Sequence, residues 1–290
     1  MNTSAKDLKR RFVTAVLALC IALLAVMAAT FAWYIYNTGA HTTNVHMAAG
    51  ASASLQISST YDGDYSSSTV LDAFVGTLNP VSTNKVTGGF QKVFGFTNGS
   101  ENQPNLVANL FGPGEASDYY RTSLFVRTNG ERLNVYLSDI GYEDSDSNNP
   151  ISTAIRVGLV VHSPGKNQPV SGEYIFAINE KDNPMAEYNT ATGKEGYVLE
   201  ASATDGTTVP FAPYTSDNFC SYDKENGSVT LKEKSLPLCT VTGGGDGTYG
   251  SAVELEVYIW LEGCDKDCTR NLCSTTLRNV ALSFAGYSAQ

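Results

Sequence analysis

The sequence predicts an all-β fold, a β-sandwich preceded by one N-terminal hydrophobic helix. Three observations predict it. Residues 12–37, FVTAVLALCIALLAVMAATFAWYIYN, hold no charged residue and follow the basic cluster Lys6, Lys9, Arg10 and Arg11. Beyond them the chain turns rich in Gly, Ser, Thr and Asn, and charged residues make up 17% of the whole, below the usual value of about a quarter. Short runs of alternating apolar and polar residues then recur between turn-forming residues, the signature of half-buried strands.

The N-terminal order of basic start, apolar helix and polar remainder reads as export. Phe12 to Tyr36 is 25 residues, about 37 Å as a helix against a hydrocarbon core of about 30 Å. That length fits an uncleaved membrane anchor over residues 12–36. Composition fits removal instead. The segment is Ala-rich, and Thr30 and Ala32 place small residues three and one before a signal-peptidase cut between Ala32 and Trp33. Trp33, Tyr34 and Tyr36 equally suit an aromatic belt at the membrane surface. Both fates stand open. The chain therefore divides into residues 1–37 (signal peptide or anchor helix), 38–51 (an extended N-terminal segment) and 52–290 (the sandwich ectodomain).

Strands follow in order. Ser52 to Ser58 puts Leu55 and Ile57 on one face. Tyr119–Arg127 and Leu133–Ile140 are two runs separated by Asn129-Gly130. Asn-Gly suits a type I′ turn, whose two central residues need positive φ, so a hairpin joining these runs is expected. Ala154–His162, Tyr174–Asn179, Val253–Leu261 and Val280–Ala285 read as further strands, and Asn226-Gly227 marks a second hairpin. Seven to nine short strands with irregular turns imply a sandwich. Residues 59–68, 141–150 and 181–207 read as polar surface loops, the last with room for a short helix. Phe90, Val93, Phe94 and Phe96 are expected in the core.

Charge and cysteines narrow the function. Lys6, Lys9, Arg10 and Arg11 against Asp7 give the N-terminal region net +3; removing it from the chain's −10 leaves −13. No basic patch survives, so nucleic acid is excluded as an expected partner. Cys20 lies in the apolar segment; Cys220, Cys239, Cys264, Cys268 and Cys273 lie in the last quarter. An exported chain can keep disulfides. Cys220 and Cys239 flank the second hairpin signal and are expected to pair. Two of Cys264, Cys268 and Cys273 suit a local bridge, which leaves one thiol over. Zinc is disfavoured there, because the spacing lacks Cys-x-x-Cys and no His is near.

Catalytic motifs are missing from the sequence. The three histidines, His41, His46 and His162, form no His-Glu-x-x-His pair, and there is no Gly-x-Ser-x-Gly, Walker or dinucleotide-binding sequence. A non-enzyme without cofactors is expected. Calcium is the one ion with a candidate: Asp144-x-Asp146-x-Asn148 opens like a calcium loop, but Asn149-Pro150 and the lack of a twelfth-position Glu break the pattern. Asp62-x-Asp64 is a weaker version, and Glu262, Asp265 and Asp267 cluster near the cysteines. The bland reading of each is a solvated loop.

A family resemblance gathers these pieces. Thr30-Phe31-Ala32-Trp33-Tyr34 closes the apolar segment, and Met47-Ala48-Ala49-Gly50 leads into the strand at Ser52. Leu124-Phe125-Val126-Arg127-Thr128-Asn129-Gly130 is followed by Leu133-Asn134-Val135-Tyr136-Leu137. This pattern resembles the TasA/camelysin family of Gram-positive surface and biofilm-matrix proteins over the first 60 residues, residues 118–162 and the last 40. The later Ile259-Trp260-Leu261-Glu262-Gly263 and Leu282-Ser283-Phe284 also resemble related clostridial-type surface proteins. The resemblance implies a jelly-roll subunit, cut by a dedicated signal peptidase, whose freed N-terminal strand inserts into a neighbour to build fibres. The metalloprotease label of camelysins does not carry over, because no zinc motif is present. The expected function is a non-enzymatic structural protein of the cell surface or extracellular matrix, with itself as partner. The alternative is a membrane-anchored, monomeric adhesion or ligand-binding module, and a secreted hydrolase is a third class that sandwich scaffolds also host.

Overall fold

A computed structural model describes residues 12–16, 18, 44–49, 55–71, 78–83, 85–97, 107–179, 188–189, 194–195, 197–201, 207–211, 216–263, 265, 268, 272 and 277–288. The chain forms two compact units, Met1–Gly39 and Ala40–Gln290. In the first, residues 12–16 and 18 are helical and exposed. No helix among the described residues is long and apolar enough to cross a membrane.

The second unit is built of β-strands. They are β1 (Asn44–Ala49), β2 (Leu55–Ser58), β3 (Ser68–Val70), β4 (Pro80–Ser82), β5 (Gln91–Thr97), β6 (Val107–Pro113), β7 (Tyr120–Thr128), β8 (Leu133–Asp144), β9 (Ile155–His162) and β10 (Val170–Ala177). There follow β11 (Tyr188–Asn189), β12 (Lys194–Glu195), β13 (Tyr197–Ala201), β14 (Thr207–Phe211), β15 (Ser221–Asp223), β16 (Ser228–Thr230), β17 (Pro237–Val241), β18 (Val253–Glu262) and β19 (Leu277–Ser288). The all-β expectation holds.

Two sheets share one core. The smaller runs β17-β8-β19-β1-β3. The larger is centred on β18, which pairs antiparallel with β9 along one edge. Its other edge is divided: β7 takes Val253–Ile259, and β4 takes Leu261 and Glu262 in parallel. β10 extends the sheet beyond β9, and β2 extends it beyond β7. From β4 an arm continues through β5, β6, β13 and β14.

Alternation in the sequence explains the core. Leu124 and Val126 of β7, Val157, Leu159 and Val161 of β9, and Leu255, Val257 and Ile259 of β18 lie two residues apart and enter one cluster. Val135 and Leu137 of β8 with Leu282 and Phe284 of β19 complete it from the other sheet, and Leu55 and Ile57 of β2 join it as expected. Each such side chain, fully buried, contributes about 1.5–3 kcal/mol.

The Asn129-Gly130 hairpin is corrected. β7 pairs with β18 and β2, whereas β8 pairs with β17 and β19, so the two runs belong to different sheets. Residues 129–132 cross between the sheets. Neither Asn129 nor Gly130 has positive φ, so the turn that Asn-Gly favours is not made. Thr128 Oγ1 instead accepts the Gly130 N–H at 3.1 Å, and the Gly130 carbonyl accepts the Gly243 N–H at 3.0 Å. The second signal does close a hairpin: β15 pairs with β16. Its turn has four residues, with Gly227 alone at positive φ, 67°, and Asp223 accepting the Glu225 N–H and the Asn226 carboxamide. The loop expected at 141–150 begins four residues late, because β8 runs on to Asp144. Within 181–207 the described residues are strands rather than a short helix.

A second apolar layer covers the outer face of the larger sheet. Val81, Val86, Phe90, Val160, Ile175, Tyr258 and Trp260 pack together there. Phe90 is buried as expected; the side chains of Val93, Phe94 and Phe96 lie outside the described residues. Phe90 meets Trp260 edge-on at 5.2 Å and stacks on Tyr119 at 4.2 Å. Gly158 in β9 makes room: a Cβ there would stand 2.9 Å from Val86 Cγ2 and 3.0 Å from Trp260 Cζ3. Strand propensity alone favours Gly158→Val. Steric overlap should win, with a loss of about 1–3 kcal/mol in urea unfolding. An unchanged or raised midpoint would mean that this layer is loosely packed.

Candidate functional site

The extended segment expected to act on a neighbour includes β1. In the single chain Asn44–Ala49 pair in parallel with Ala281–Gly286 of β19. On its other side β1 pairs antiparallel with β3 through Asn44, Val45 and His46. Within the smaller sheet the β1–β19 pair is the parallel one; the pairs β17–β8, β8–β19 and β1–β3 are antiparallel. Five residues, 50–54, then separate β1 from β2, which lies in the other sheet. Parallel neighbours cannot come from a tight turn. β1 therefore reaches its place as a strand laid beside β19 in backbone register. The cleavage pair Ala32 and Trp33, and His41, lie outside the described residues.

The disulfide expected between Cys220 and Cys239 is not formed. Both are free thiols. Both flank β8: the Cys220 N–H donates to the Leu137 carbonyl at 3.0 Å, and Cys239 pairs with Val135. They serve opposite faces of that strand. Cys220 packs with Tyr136 and Ala285 on the outer side, whereas Cys239 packs against the main core. Proximity in sequence to a hairpin did not settle which way each side chain points. Cys264 and Cys273 lie outside the described residues.

The acidic groups are engaged locally. Asp146 accepts the Asn148 N–H at 2.9 Å and the Asn149 carboxamide at 3.0 Å. Asp144 accepts both the N–H and hydroxyl of Ser152, at 2.9 and 2.6 Å. The two carboxylates of the calcium-like loop thus cap different pieces of backbone instead of converging. Asp62 Oδ2 is 2.6 Å from Lys166 Nζ. No group of three metal-ligating side chains occurs among the described residues.

Glu262 and Asp265, read from sequence as surface acids, are buried. Asp265 meets the fully buried Arg156 at 2.6 Å, and Glu262 accepts the Trp260 indole N–H at 2.9 Å. Arg156 also donates to the Thr153 and Ile155 carbonyls. Apolar residues surround the sequence position of Arg156, so alternation marks it as facing away from the core, but nothing local names Asp265 as its partner. Such a pair contributes little net stability, yet removing one member leaves a buried charge and costs about 3–5 kcal/mol.

His162 ends β9, as expected, with its Nε2 3.6 Å from Glu256. Its Nδ1 lies 2.7 Å from the Gln168 carbonyl oxygen. Glu256 is claimed by two other groups: Arg121 at 2.8 Å and the Tyr258 hydroxyl, which donates at 2.6 Å. Burial pushes the Glu256 carboxyl up, but Tyr258 and Arg121 outweigh it and hold it below the ordinary range. Tyr258 is pushed well above a usual phenol by burial and by that carboxylate. No hydroxyl or thiol among the described residues hydrogen-bonds the His162 ring, so a nucleophile–base pair is not assembled there. Nearby, the Arg127 guanidinium lies between the rings of Tyr65 and Tyr249, 3.7 and 4.1 Å from their centroids. That stack ties the loop after β2 to the loop before β18.

Comparison with family models, with curated proteins and with solved structures returns no match.

Burial pushes the Cys220 thiol up to about 11 and the Cys239 thiol up to about 12, from 9.0. The fold therefore favours the protonated thiols. Their contribution to stability is fully present below pH 9.0 and is lost as pH rises through the folded values. Urea midpoints should fall as pH climbs above 9, and the Cys220→Ala/Cys239→Ala pair should flatten that fall. Non-reducing peptide maps should contain no Cys220–Cys239 peptide. Recovery of that peptide from native protein would contradict the opposite-face placement.

Proposed function

We propose that this chain is a non-enzymatic extracellular structural protein, a subunit of a surface or matrix fibre. It assembles by donating its N-terminal strand, β1, to the β19 edge of a neighbour. The sandwich is read as a jelly roll of the TasA/camelysin kind, exported by residues 12–36 and freed by a cut between Ala32 and Trp33. The observation that carries this reading is the parallel seating of β1. It joins its sheet edge to edge through backbone hydrogen bonds, which any copy of the same strand makes equally well. Exchange of an identical element between subunits needs no new side-chain chemistry. Residues 50–54 are the connection that would redirect β1 outwards. The loss of the Asn129-Gly130 hairpin leaves the resemblance resting on the N-terminal segment and on the strands themselves.

The membrane-anchored monomer is favoured by the same strand read differently. In one chain β1 already fills the place beside β19, which a self-sufficient module would require. The two readings part on assembly. Residues 33–290 should form filaments, and N-terminal sequencing of native filaments should begin at Trp33. Residues 52–290 should keep a β-type circular dichroism spectrum, unfold more readily, and form none. A synthetic peptide of residues 40–51 in excess should block growth. Filaments from residues 52–290 would rule out strand donation; filaments never forming from residues 33–290 would favour the anchored monomer.

A further inference from the structure

A lysine amine, an asparagine carboxamide and a buried carboxylate meet where the arm leaves the larger sheet. Lys92 in β5 pairs across from Val81 in β4. Asn79 lies two residues before Val81, so it and Lys92 are diagonal cross-strand neighbours, a separation that long side chains bridge. Asp118, its side chain 3% exposed, lies between them. Its Oδ1 accepts the Asn79 carboxamide N–H at 2.8 Å. Its Oδ2 is 3.4 Å from Lys92 Nζ and accepts the Glu115 N–H at 2.6 Å. The Asn79 N–H donates to the Asp118 carbonyl at 3.1 Å, which fixes the two segments in register. One carboxylate thus holds both an amine and an amide.

We propose that Lys92 and Asn79 are the two ends of an intramolecular amide cross-link, with Asp118 as its proton carrier. Lys92 Nζ passes a proton to Asp118. The neutral amine attacks Asn79 Cγ, forming the new C–N bond, and the tetrahedral centre takes a proton from Asp118 at its oxygen. The bond from Cγ to Nδ2 then breaks, and Nδ2 leaves as ammonia, collecting the protons released by Nζ. Overall an ammonium and a carboxamide become a secondary amide and an ammonium ion, and the Asp118 carboxylate is regenerated. Nothing is oxidised or reduced.

The surroundings set the pace. The Glu115 hydrogen bond holds the Lys92 amine above its ordinary value. Burial pushes Asp118 up, but the Glu115 N–H, Asn79 and Lys92 outweigh it and hold the carboxyl below its ordinary value. The first proton transfer is therefore uphill and closure is slow. A bond made once per molecule tolerates that. The closed loop, residues 79–92, carries Val86 and Phe90 over Trp260, so the cross-link fastens that apolar layer permanently.

The test is mass spectrometry of the full chain after prolonged incubation at neutral pH. The expected mass is lower than the sequence requires by one ammonia, with a peptide containing Asn79 joined to one containing Lys92. Lys92→Arg and Asn79→Ala, checked as folded by circular dichroism, should keep the full mass. Asp118→Asn should close more slowly or not at all. Glu115→Gln, which removes a competing partner of the amine, should close faster. A wild-type chain that stays at full mass overturns the proposal. So does an ammonia loss that persists in Lys92→Arg, since that loss belongs to a succinimide at one of the Asn-Gly steps.

Discussion

Every strand of the larger sheet hangs, directly or through a neighbour, on β18. Its odd-numbered residues, Val253 to Leu261, enter the core. Its edges hold β9, β7 and β4. A strand buried on both faces must satisfy all its backbone groups with other strands, since water cannot reach them. That requirement explains why β7 stops where β4 begins: β4 takes Leu261 and Glu262, which β7 leaves open. It also explains why the outer face of β18 carries either apolar residues under a cover, Tyr258 and Trp260, or acids with named partners, Glu254, Glu256 and Glu262.

The smaller sheet follows a different logic at one end. β17, β8 and β19 are joined antiparallel with bulges at Pro237/Cys239, Arg278/Ala281 and Ser283/Phe284. β1 is then added in parallel, with six residue pairs and no bulge. It shares no tight turn with β19, and nearly the whole chain separates the two in sequence. A strand so placed is joined to β19 by the ladder and not by a turn, and under the proposed exchange a neighbour's β1 would meet the same ladder. The proposed fibre depends on that equivalence. Where the cross-link between Lys92 and Asn79 forms, it fastens β4 to β5 in the larger sheet, whereas the strand that would exchange belongs to the smaller one.

Strand positions were legible because period-2 alternation is a local property. Leu55 and Ile57, Val157 to Val161 and Val253 to Leu261 all declare their inner face without help from the rest of the chain. Pairing was not legible, because it is non-local. Asn129-Gly130 looks like a hairpin, but the cores of β7 and β8 are satisfied on opposite sheets, and that tertiary demand overrides the turn preference. The disulfide failed for a related reason. A cysteine's direction depends on which face of β8 it covers, and the sequence between Cys220 and Cys239 does not encode that. Glu262 and Asp265 were read as solvated because acids usually are; Trp260 partners Glu262 from two residues away on the same strand, whereas Arg156 reaches Asp265 only because the fold brings the two segments together. The Lys92–Asp118–Asn79 cluster had no sequence signature at all, since its three members come from separate segments: strand β5, the residues before β7 and the residue before β4.

The most direct test of strand exchange is a cysteine pair placed across the β1–β19 ladder. His46 and Ser283 are register partners, so His46→Cys with Ser283→Cys in residues 33–290 reports which chain supplies β1. Filaments oxidised after assembly, then dissolved in denaturant without reductant, should run as a ladder of covalent multimers, while oxidised monomers should run as single chains. Filaments that dissolve entirely into internally bridged single chains would show that β1 never leaves its own subunit, and would contradict assembly by strand donation.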